Sequence, residues 1–68
     1  MTQNERVLNY IADFGSITTL DAFADLGVTR LASRIHELTR RGYSFERETV
    51  TAKNRFGESV HYTRYRMA

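Results

Sequence analysis

Residues 18–42, TTLDAFADLGVTRLASRIHELTRRG, decide how this chain folds, because they spell two helices joined by a short turn. Thr18 and Thr19 are both candidates to cap a helix N-terminus. Asp21 stands three residues after Thr18, so its carboxylate can reach back to a free backbone N–H, and the spacing predicts a helix over 19–26. On that helix Leu20, Phe23 and Ala24 share one face, while Asp21 and Asp25 point away. Gly27 supplies the left-handed backbone that ends a helix at little steric cost. After the Gly27–Val28 turn, Thr29 is the next N-cap candidate. Leu31, Ile35 and Leu38 then repeat at i, i+4 and i+7, an apolar stripe that must face a core, and Gly42 closes a second helix over 29–41.

What remains on the second helix is informative. At about 100° per residue, Thr29, Arg30, Ser33, Glu37, Arg40 and Arg41 gather opposite the apolar stripe, with Arg34 on its border. Guanidinium groups and short hydroxyls turned outward from the second of two turn-linked helices suit a phosphate backbone and the base edges of a major groove. Some of them also have a structural use. Arg34 is placed to pair with Asp25 or Glu37, and Arg40 and Arg41 suit the negative end of the helix dipole.

The flanking segments complete one small domain. Residues 3–14 carry Val7, Leu8, Ile11 and Phe14 at helical spacing, with Thr2 or Asn4 as caps and Gly15 as the stop. Ser16-Ile17 is a two-residue strand candidate. From Tyr43 to Ala52 and from Val60 to Met67 side chains alternate with period two, and Lys53-Asn54-Arg55-Phe56-Gly57-Glu58 lies between them. This predicts an antiparallel hairpin, strands 44–52 and 59–67, with a basic loop. The expected core is Leu8, Ile11, Phe14, Leu20, Phe23, Leu31, Ile35 and Leu38, closed by Phe45, Tyr65 and Met67.

The runs GSITTLDAF (15–23), LGVTRLASRIHEL (26–38) and RGY (41–43), with the closing YRM (65–67), resemble the small helix-turn-helix domains common in bacteriophage and prophage genomes. The pattern of short helix, Leu-Gly-Val, recognition helix, glycine and hairpin is similar to that of winged-helix domains. This resemblance implies an α+β winged helix-turn-helix, three helices followed by a C-terminal β-hairpin wing, filling residues 1–68 as a single DNA-binding domain. Phe23, four residues before Gly27, departs from the older repressor-type motif, which wants a small residue there, and favours the winged variant.

Composition bounds the rest. A chain of 68 residues builds one core and buries only ~60% of its unfolded surface. The net charge is a modest +2, but it is unevenly spread: residues 1–28 hold one arginine against four acids, net −3, and residues 29–68 hold nine basic residues against four acids, net +5. Such asymmetry is the electrostatic footprint of a nucleic-acid binder. The chain has no cysteine, which excludes disulfides and thiolate metal sites and points to a cytoplasmic setting; no apolar run is long enough for a membrane helix. His36 and His61 read as packing or surface residues, no serine or threonine has a triad partner, and the four glycines are dispersed rather than clustered around a phosphate.

The expected partner is therefore double-stranded DNA, with no catalysis, cofactor, metal, small-molecule ligand or membrane. The contact set is Thr29, Arg30, Ser33, Arg34, Glu37, Arg40 and Arg41 on the recognition helix, with Lys53, Asn54 and Arg55 on the hairpin loop. One such module makes few base contacts, so a homodimer or a cooperative assembly on DNA is expected. The role expected is a regulator of transcription or an accessory factor. The alternatives are a winged-helix adaptor that binds protein through its hairpin, and an excisionase-like protein that bends DNA.

Overall fold

A computed structural model describes all 68 residues. In chain order it contains α1 (Gln3–Phe14), β1 (Ile17–Thr18), α2 (Thr19–Leu26), α3 (Leu31–Arg40), β2 (Phe45–Lys53) and β3 (Ser59–Met67). The helix ends follow local chemistry. Thr2 caps α1 by accepting from the Glu5 N–H at 3.2 Å. At α2 the capping box is complete: Thr18 Oγ1 accepts from the Asp21 N–H and Asp21 Oδ2 accepts from the Thr18 N–H, each at 3.0 Å. Gly27, at φ +69°, ends that helix in the left-handed region.

The three strands form one antiparallel sheet in the order β1-β3-β2. Tyr65 of β3 lies opposite Ile17 on one side and Arg47 on the other, so Ile17, Phe45, Arg47, Tyr65 and Met67 share one face. From that face Ile17 and Tyr65 join the helices in the core, with Phe45 packed against it, while the Arg47 guanidinium lies 5.8 Å from the centre of the Tyr65 ring. The core comprises Val7, Ile11, Ile17, Ala22, Val28, Leu31, Ile35, Leu38 and Tyr65.

The stripe on α3 is buried as its spacing requires, but four expected core residues, Phe14, Leu20, Phe23 and Met67, are exposed. Phe14, Leu20 and Phe23 are 71%, 59% and 64% exposed. On α2 the cause is the strand before it. Pairing of β1 with β3 buries Ile17 and Thr18, and a helix that continues from a buried Thr18 turns Ala22, four residues on, inward. A small side chain there lets α2 approach the core closely, and Leu20 and Phe23 face away. On α1 the inward stripe is Asn4, Val7 and Ile11; the helix stops at Phe14, whose ring packs beside Tyr10 with centroids 4.6 Å apart. Met67 is likewise 42% exposed rather than part of the lid. The missing core volume comes from Ile17 and Val28, which lie in a two-residue strand and a turn, too short for any periodicity to mark them as core.

The recognition helix also begins later than expected, at Leu31 rather than Thr29. Val28 is drawn into the core, its N–H donating to the Ala22 carbonyl at 2.9 Å, and the chain needs two further residues to turn outward. Arg30 therefore occupies the N-cap position, at φ −122° and ψ 59°, without a side-chain cap. At the other end α3 stops at Arg40, one residue short of the expected 41.

Candidate nucleic-acid interface

α3 packs inward on α1 and α2 through Leu31, Ile35 and Leu38, and its other side is open. Thr29, Arg30, Ala32, His36, Arg40 and Arg41 are exposed, and Ser33, Arg34 and Glu37 are half-buried. Arg30, Ala32, Ser33, Arg34, His36 and Glu37 line one shallow hollow on this face. Four of the expected contact residues thus meet around a single depression. Ala32 and His36, outside the expected contact set, line it too; at about 100° per residue His36 falls on the same side of the helix as Thr29 and Ser33.

The charges on this face are not equivalent. Arg34 Nη2 lies 2.8 Å from Glu37 Oε1, and Arg34 Nη1 donates to Gln3 Oε1 of α1 at 3.4 Å. This is the internal pairing that the border position of Arg34 allowed. Arg30, Arg40 and Arg41 have no carboxylate partner. Arg40 and Arg41 sit where α3 ends, so their charges both complement the helix dipole and remain free for an external anion.

The hairpin carries a second basic group at its tip. Its two strands have nine residues each, about 30 Å of extended chain, and the molecule's longest dimension is 39 Å. Lys53 and Arg55 are exposed near the tip and unpaired. Asn54 differs. Its Oδ1 accepts from the Phe56 N–H at 2.9 Å and the Glu58 N–H at 3.1 Å, and its Nδ2 donates to Glu58 at 3.4 Å. The Asn54 side chain holds the turn together, as asparagine commonly does. Phe56 does not fold back on the hairpin and is 77% exposed.

Elsewhere the basic residues of the second half are engaged. On the outer face of the sheet Glu48 Oε1 accepts from Arg64 at 3.1 Å and from Arg66 at 2.6 Å. The Arg64 hydrogen bond, joined by that of Arg66, holds the Glu48 carboxyl below its ordinary range. His61 is bonded across the strands to Thr51 at 3.1 Å. The acidic first half is organised by a different contact: the Tyr10 hydroxyl donates to Asp25 Oδ2 at 2.6 Å and ties α1 to α2. That bond, with some desolvation and the neighbouring charges of Asp21 and Asp25, pushes the Tyr10 pKa up to about 12. In the basic second half, the cations without a protein partner are thus those on α3 and at the hairpin tip; in the first half Arg6 of α1 is also exposed and unpaired.

No helix is long and apolar enough to cross a membrane. The chain matches neither a curated protein nor a solved structure. A family model described as a winged helix-turn-helix domain matches residues 2–68. With three helices, a three-stranded antiparallel sheet and a match along almost its whole length, this chain belongs to the winged helix-turn-helix domain family.

Proposed function

We propose that this domain binds double-stranded DNA, with α3 in the major groove and the β2–β3 hairpin as a wing along the backbone, and that it serves as a regulator of transcription or an accessory factor of the phage or prophage type, without catalysis. One observation carries this reading: the open side of α3 presents Arg30, Arg40 and Arg41 without carboxylate partners, beside short side chains that fit base edges. Titration of wild type against short duplexes tests it. Replacing Arg30 and Ser33 by alanine weakens binding to a cognate site more than binding to random DNA, since Ser33 meets bases and Arg30 meets phosphate. Equal affinities of wild type and variant for both DNAs would refute it.

A second reading, an adaptor that binds protein through its hairpin, draws on the exposed Phe56 at the hairpin tip; Leu20 and Phe23 of α2 are further exposed apolar side chains. Retention on random duplex DNA at low salt separates the two, because an adaptor with a net charge of only +2 elutes early.

A further inference from the structure

The open side of α3 is divided, and the division bears on which residues read bases. With about 100° between successive residues, the direction opposite Leu31, Ile35 and Leu38 passes between His36 and Ser33, and Arg34 stands more than ~100° away from it. Ala32 and His36 are exposed, and Ser33 is half-buried beside them in the same hollow. No protein group forms a hydrogen bond or ion pair with the His36 imidazole, whereas His61 is bonded to Thr51. Arg34, by contrast, stands on the flank, tethered by Gln3 to α1, and although Glu37 lies about as near the outward direction as His36, its carboxylate is held by Arg34 at 2.8 Å.

We infer that Ala32, Ser33 and His36 are the base-reading residues of α3, and that the Arg34–Glu37 pair sets the helix on α1 rather than touching bases. This inference rests on the DNA-binding reading above and makes it specific. Ala32 offers a methyl group, which packs against the C5-methyl of thymine; Ser33 offers a hydroxyl that donates or accepts. His36 offers a ring N–H, which donates to the N7 acceptor that a purine shows in the major groove. The three occupy about one helical turn, ~5.4 Å, against a base-pair rise of ~3.4 Å. The target is therefore a step of two adjacent pairs, one with a thymine methyl and one with a purine N7 in the groove. A carboxylate directed at the groove would repel phosphate unless it met a cytosine amino group; Arg34 removes that conflict by neutralising Glu37 internally.

Selection from a random DNA pool, followed by sequencing, tests the assignment with wild type, His36→Ala and the double variant Arg34→Gln/Glu37→Gln. Wild type should enrich a motif containing such a step. His36→Ala should lose roughly tenfold discrimination at one base pair of that motif, with the rest of the motif, the affinity for random DNA and the thermal midpoint unchanged. The double variant should keep every position of the motif. Uracil in place of the thymine should weaken wild-type binding severalfold, since it removes only the methyl group. An unchanged motif with His36→Ala, or loss of motif positions in a folded double variant, would overturn the assignment while leaving DNA reading intact. A wild type that enriches no motif would overturn both.

Discussion

Replacing Lys53 and Arg55 together by alanine should flatten the salt dependence of duplex binding, and replacing Arg64 and Arg66 together should leave it nearly intact. Both double variants lower the net charge by two, so the contrast depends only on where the charges lie. Arg64 and Arg66 are bound to Glu48 on the outer face of the sheet, at 3.1 and 2.6 Å. The unpaired cations on α3 and the hairpin tip are Arg30, Arg40, Arg41, Lys53 and Arg55, five in all. If each neutralises one phosphate, log affinity falls with log salt at a slope near ~4.5, and a rise from ~50 to ~200 mM salt weakens binding ~500-fold. Without Lys53 and Arg55 the slope drops to ~2.7 and the same rise weakens binding only ~40-fold. Fluorescence anisotropy of a labelled random duplex, titrated at several salt concentrations, measures both slopes. Equal losses of slope in the two variants would show that net charge alone governs binding. No loss in the Lys53/Arg55 variant would show that the hairpin tip does not reach the backbone.

Three further outcomes concern stability. Leu31→Ala removes a side chain that is 1% exposed and should cost ~2–5 kcal/mol, most of the margin of so small a domain, whereas Phe23→Ala should change stability by no more than ~0.5 kcal/mol; urea melts followed by circular dichroism compare them. Thr18→Val keeps the shape of a buried side chain but removes the acceptor of the Asp21 N–H, and should lower stability by about 1 kcal/mol in the same melts. The Tyr10–Asp25 bond favours the protonated phenol, so its contribution is complete below the ordinary tyrosine pKa of 10.0 and fades as pH rises through about 12; stability measured from pH 9 upward should fall less steeply in Tyr10→Phe than in wild type.

How the sequence could be read depended on the range of each interaction. The caps at Thr18 and Gly27, the α3 stripe and the alternation of the hairpin strands rest on contacts within four residues or on a fixed period, and all appear in the structure. The α+β class and the order of its elements follow from them. The charge asymmetry was equally plain, because it is a property of composition.

Which face of α2 turns inward was not available from that helix alone. Leu20, Phe23 and Ala24 form as good an apolar face as Ala22 with its neighbours, and the choice was made by β1, whose pairing with Tyr65 and Arg64 brings in a strand more than forty residues away in the chain. The same long-range packing drew Val28 inward, delayed the start of α3 to Leu31 and left Arg30 at its cap. Among the candidate contacts, sequence placed the arginines on α3 and the hairpin but could not say which of them are free. Arg34 pairs with a glutamate three residues on and reaches Gln3 of α1, and Arg64 and Arg66 meet Glu48 from the opposite strand. Local pattern determined where the charges sit along the chain; only tertiary packing, which brings distant carboxylates and amides within hydrogen-bonding reach, decided which of those charges remain open to a partner.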